Sequence, residues 1–191
     1  MRLDNREKEI FERLERRLVD EKIDFTHARI QKYISKYLLE ELGCENIEKI
    51  DVEKYVLTLK VRANNFGNLS YWPIDLYLKL KNGEEYLFEI KTGKYIPNEV
   101  IDGKVTKMSI ARLIKENEIS DSAYLVFVLT DDTYKNTLEY LLNKKDLDII
   151  VYVPSYIKWV KDYKRAKELL ESSIIYKRVY DGWKCERGKI I

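Results

Sequence analysis

Ala123–Leu129 reads AYLVFVL, a continuous run of apolar, β-branched and aromatic residues. Such a run reads as a central strand buried on both faces. A strand with no wet face needs helices on either side, so the chain is expected to be α/β. The flanking patterns supply them. Helices are predicted around Lys104–Lys115, near Thr133–Asn143 and over Tyr156–Leu170, with a further strand at Ile149–Val153.

Upstream, Ile10, Phe11, Leu14 and Leu18 fall at helical spacing in residues 6–20. A second helix starts near Thr26, a suitable N-cap, and stops at Gly43. Strand signals follow at about Tyr55–Val61, Trp72–Leu80 and Glu85–Lys91. An antiparallel meander leading into α/β crossovers implies a mixed central sheet flanked by helices. No repeat or linker interrupts the 191 residues, so one domain is expected over 1–191.

Charged residues are 36% of the chain but the formal net charge is only +2, so any basic surface must come from local clustering. No apolar run approaches the roughly 18 residues of a membrane span, and the first residues are too charged for a signal peptide. An intracellular, membrane-free protein is the expectation. Cys44 and Cys185 are far apart, which argues against a zinc ribbon or a four-cysteine iron–sulfur cluster. A single glutamine among many Lys, Glu, Ile and Tyr fits a thermophile or an AT-rich genome.

Asp75, Glu89 and Lys91 stand inside otherwise apolar strands. A two-residue Asn82-Gly83 turn would set the apolar face of one strand beside the polar face of the other. A three-residue Lys81-Asn82-Gly83 loop, with Gly83 left-handed, pairs Leu78 with Tyr86 and Leu76 with Phe88. In that register Ile74, Leu76, Leu78 and Leu80 share a face, and Asp75 lies opposite Glu89. Carboxylates so placed repel. A divalent cation removes the repulsion, and a neighbouring lysine suits hydrolysis of a phosphodiester. The alternative is an amphipathic hairpin with a merely wet polar face.

Pro73-Ile74-Asp75, followed after thirteen residues by Glu89-Ile90-Lys91, resembles the signature of the PD-(D/E)XK nuclease superfamily. The resemblance covers about residues 26–130. It implies a restriction-endonuclease-like core in which Asp75, Glu89 and the main-chain carbonyl of Ile90 bind Mg²⁺ or Mn²⁺, and Lys91 is catalytic. His27, on the helix before the strands, is similar in placement to a metal-binding histidine of exonuclease-like branches; capping or partnering a nearby group is its ordinary alternative. Two features depart from those branches. The helix after Lys91 lacks their glutamine–tyrosine pair, and two cysteines cannot hold an iron–sulfur cluster. Glu40 and Glu41 are weaker candidates for a first-helix glutamate.

Residues 91–115 hold six Lys/Arg against two acids, and residues 155–191 ten against five. Lys94, Lys104, Lys107 and Arg112 are therefore candidate nucleic-acid contacts. Tyr71, Trp72 and Tyr95 could stack on unpaired bases, although packing is the commoner use of a tyrosine. The expected function is metal-dependent DNA hydrolysis, with endonuclease, exonuclease and junction resolvase left open. Cutting both strands needs two symmetric sites, hence an expected homodimer. The competing reading is a catalytically inactive nucleic-acid-binding module.

Overall fold

The computed structural model describes residues 25–62, 65–180 and 182–191, together with Asn5, Glu9 and Glu12. The helix expected over residues 6–20 lies outside the described residues but for Glu9 and Glu12. Helix α1, Phe25–Leu42, leads into β1, Ile47–Arg62. Strands β2, Asn65–Leu80, and β3, Glu85–Ile90, complete an antiparallel meander. Helix α2, Asn98–Leu113, crosses to β4, Tyr124–Thr130, which is parallel to β3. Helix α3, Lys135–Leu142, crosses to β5, Ile149–Val153, again parallel. Helix α4, Tyr163–Glu171, precedes an antiparallel hairpin of β6, Ile174–Val179, and β7, Gly182–Arg187. The seven strands lie in chain order, β1 to β7, in one mixed sheet.

The apolar run at 123–129 explains the layering. Val126 and Val128 join the core beneath α1 and α4, while Leu125, Phe127 and Leu129 join the core beneath α2 and α3. Alternate side chains thus serve opposite layers, as a doubly covered strand requires. Helix α1 buries Ile30, Ile34, Tyr37 and Leu38 at helical spacing and stops at Gly43, whose φ of 76° favours glycine. Fully burying such a leucine or isoleucine stabilises the fold by about 1.5–3 kcal/mol.

The β2–β3 turn takes the three-residue form. Leu80 N–H bonds Glu84 O at 2.8 Å, Gly83 has φ 93°, and Leu78↔Tyr86 and Leu76↔Phe88 are partners. Two expectations need correction, and one element is new. Strand β1 begins at Ile47 rather than Tyr55, because Ile47, Ile50 and Val52 bury against α1. The helix expected over Tyr156–Leu170 is two pieces, a 3₁₀ turn at Ser155–Trp159 and α4, which restarts where Asp162 accepts the Arg165 N–H. The β6–β7 hairpin is an addition: mixed charges hide its strand pattern, and only Ile175 is deeply buried.

Candidate active site

Strands β1 and β2 roll over at one pair of residues. Ile50 and Val52 of β1, with Leu76 and Leu78 of β2, face α1; Val56, Trp72 and Ile74 face α2. Ile74 therefore does not share a face with Leu76, contrary to the alternation read from sequence. The change falls at Glu53 and Asp75, which sit across from each other between the pairs Val52↔Leu76 and Lys54↔Ile74. Glu53 has φ 53°, a left-handed conformation that costs a non-glycine residue about 1–3 kcal/mol. The ladder between β2 and β3 ends nearby, at Leu76↔Phe88. Beyond it, the Ile90 N–H donates to Asp75 Oδ2 at 2.7 Å, and Lys91 N–H turns to Val128 O at 2.9 Å. A carboxylate has replaced a ladder carbonyl where the strands part.

Helix α1 lays two side chains on this point, one turn apart. His27 Nε2 lies 3.3 Å from Asp75 Oδ1. Gln31, fully buried, donates its amide to the Asp75 carbonyl and to Glu53 Oε1, the latter at 3.1 Å. His27, Glu53 and Asp75 each offer a ligand atom within 4.8 Å of the others. Glu53 and Gln31 were missed by sequence reasoning. The i, i+4 spacing of His27 and Gln31 was a usable signal, whereas nothing in residues 47–54 announces a left-handed glutamate.

On the other side of Asp75, Glu89 is 0% exposed. Lys91 Nζ stands 2.8 Å and Lys104 Nζ 3.0 Å from its Oε1, yet neither carboxylate oxygen receives a well-aligned hydrogen bond among the described residues. Burial and the charge of Asp75 push the Glu89 carboxyl above the usual carboxylate range, against the pull of Lys91 and Lys104. Burial acts on Asp75 in the same sense, but the His27 hydrogen bond and charge, the Ile90 N–H and Lys91 outweigh it and hold its pKa low. Burial also disfavours the His27 imidazolium and the Lys91 ammonium; the facing carboxylates nevertheless raise both pKa values. The cluster therefore holds protons and lysines around carboxylates that repel each other, an arrangement that fits a divalent cation. A donor set of oxygens plus one imidazole suits Mn²⁺ at least as well as Mg²⁺.

Neither protein-family models nor curated protein sequences match the chain.

Asp75, Glu89, Lys91, Ile90 and His27 are thus brought together, and Lys104 joins them from α2. Lys107 flanks this group, its ammonium 5.5 Å from the ring centroid of buried Trp72, over which Lys104 also sits at 4.8 Å. Lys94 is exposed on the loop after β3. Arg112 stands apart, donating to Ala123 O at 3.0 Å beside Asp148. Glu40 and Glu41 are engaged at the far end of α1 by Lys167, with Lys189 at Glu41. The basic tail is partly neutralised: Lys177 and Lys184 both meet Glu186. Tyr71 and Tyr95 are exposed, whereas Trp72 is packed.

Proposed function

We propose that the chain is a metal-dependent nuclease with a restriction-endonuclease-like core, hydrolysing phosphodiester bonds in DNA. The observation that carries the reading is Glu89: a fully buried carboxylate beside a second one, without a well-aligned hydrogen bond, flanked by two ammonium groups. Such a group costs the fold stability and calls for a functional reason.

Asp75 and Glu89 would hold Mn²⁺ or Mg²⁺, with the Ile90 carbonyl, His27 and Glu53 as further donors. The cation supplies Lewis acidity and lowers the pKa of a bound water. Gln31 fixes Glu53 and the Asp75 main chain beside His27. The raised pKa of Lys91 keeps it cationic, which suits neutralising charge on the phosphoryl oxygens rather than removing a proton from water. Lys104, 3.0 Å from Glu89 Oε1, would serve the same task from α2. In the overall reaction the water oxygen bonds to phosphorus, the bond to the leaving deoxyribose oxygen breaks, and the proton lost by the water is balanced by one taken up on that oxygen. The inactive binding module has one observation in its favour, since Lys91 and Lys104 already neutralise Glu89.

The test is cleavage of labelled single-stranded, duplex, flapped and four-way-junction DNA with Mn²⁺, Mg²⁺ or EDTA, beside Asp75→Ala and Lys91→Ala. Metal-dependent cutting lost in both variants supports the reading, and the preferred substrate selects among exonuclease, endonuclease and resolvase. Sedimentation of the same samples tests the homodimer. Binding that ignores metal, with no cutting of any substrate, sinks the enzyme and leaves the binding module.

A further inference from the structure

The loop leaving Lys91 runs Thr92-Gly93-Lys94-Tyr95 and is pinned to the segment after β4. Gly93 O accepts the Thr133 hydroxyl at 3.0 Å, and Lys94 O accepts the Tyr134 N–H at 2.8 Å. These bonds set Tyr95 and Tyr134 side by side, with ring centroids 6.4 Å apart and planes at 48°. Both rings stay in solvent, at 68% and 58% exposure. Between them and the first turns of α2 and α3 opens a cavity of about 280 Å³, also lined by Asn98, Glu99, Asn136 and Thr137. Thr137 is only 4% exposed, and its hydroxyl has no hydrogen-bond partner among the described residues.

Each of these parts selects for the same occupant. Exposed aromatic faces stack on bases irrespective of sequence. The two asparagine amides can both donate and accept, the Thr137 hydroxyl is unspent, and Glu99 accepts from a ring N–H or an exocyclic amino group. A carboxylate at the rim disfavours phosphate, so the base rather than the backbone enters. The backbone is left to exposed Lys94, between Lys91 and Tyr95 in the chain. A paired base has its edge occupied and its faces stacked, so only an unpaired one fits. Glu99 and Lys104 share α2, five residues or about 7.5 Å of helical rise apart, short enough for one strand to visit both.

We propose that this cavity is a subsite for one unpaired nucleobase, which makes the substrate class single-stranded or overhanging nucleic acid. The link to cutting rests on the nuclease reading; the binding of the base does not.

The test measures anisotropy of a labelled single strand and of its blunt duplex in EDTA, so that binding is read without cleavage. Wild type is compared with Tyr95→Ala/Tyr134→Ala and with Tyr95→Phe/Tyr134→Phe, each checked for folding by thermal melting. The alanine pair should bind the single strand about tenfold more weakly, with duplex binding unchanged and the phenylalanine pair matching wild type. Unchanged single-strand affinity in the alanine pair, or an equal loss on the duplex, overturns the subsite and leaves the tyrosines to a protein contact. Mn²⁺ cleavage run in parallel separates the two ideas. A protein that cuts nothing but loses single-strand binding in the alanine pair keeps the subsite and loses the nuclease. One that cuts normally, with unchanged affinity in that pair, does the reverse.

Discussion

Strand β3 carries a buried glutamate at each end, and the two are treated differently. Glu85 accepts the Tyr77 hydroxyl at 3.1 Å and the Ser120 N–H at 3.0 Å, both on Oε2. Its partners are neutral donors held by the fold, and it ties β2 and the approach to β4 to the strand between them. Glu89 is more deeply buried, faces a second carboxylate, and among the described residues has only ammonium groups in range. Burial therefore does not distinguish a site from a scaffold. The character of the surrounding groups differs: neutral, aligned donors hold Glu85, whereas Glu89 stands between two ammonium groups and a second carboxylate.

The sharpest break of this comparison is functional. Glu89→Gln should lower metal-dependent cleavage at least about 100-fold, because a neutral amide is a poor ligand for a hard cation. Glu85→Ala should leave cleavage per folded molecule unchanged. Rates on one DNA substrate, corrected for folded fraction, decide it. Equal rates for wild type and Glu89→Gln would place the two glutamates in one structural class.

Stability should sort them the other way. Glu85→Ala strands the Tyr77 hydroxyl and the Ser120 N–H, and should cost about 2–3 kcal/mol in urea unfolding. Mn²⁺ should then raise the unfolding free energy of wild type and of Glu85→Ala alike, by about 2.7 kcal/mol at a hundred times the dissociation constant. Asp75→Ala should show no such gain. A gain that persisted without Asp75 would move the cation elsewhere in the molecule.

Much of this was readable in the chain because the signals were local. The apolar run at 123–129 demanded two covered faces, and Gly83 with matching apolar faces selected the hairpin register. Asp75, Glu89 and Lys91 were conspicuous as charges among apolar neighbours. The roll of β1 and β2 was hidden for a physical reason. Apolar residues keep to even positions on both sides of Glu53 and Asp75, since each face of the sheet is covered and either accepts them. A two-residue period then cannot report which helix a side chain meets. Glu53 was lost with it, and Gln31 could not be told from a surface glutamine before α1 was docked.

The smallest effect concerns protons, and it tests whether the Asp75 side of the site behaves as a charged unit that the Glu85 end lacks. His27 has a folded pKa above its ordinary 6.5, so the stability it contributes is fully present below pH 6.5 and is lost as pH rises through the folded value. Glu89, also raised, acts in the same sense from its ordinary 4.5 upward. Asp75, lowered, contributes stability present above 3.8 and lost as pH falls through its folded pKa. Metal-free protein should therefore lose unfolding free energy as pH rises above about 6.5 and through the folded pKa of His27. His27→Ala should flatten that slope, while Glu85→Ala should keep it. Mn²⁺ should oppose it, since a ligating imidazole must shed its proton and the metal's contribution grows as protons leave. Urea midpoints at several pH values, in EDTA and in Mn²⁺, measure both. A slope that survives in His27→Ala would remove the imidazole from the charged unit and leave Asp75 held by the Ile90 N–H and the Lys91 charge.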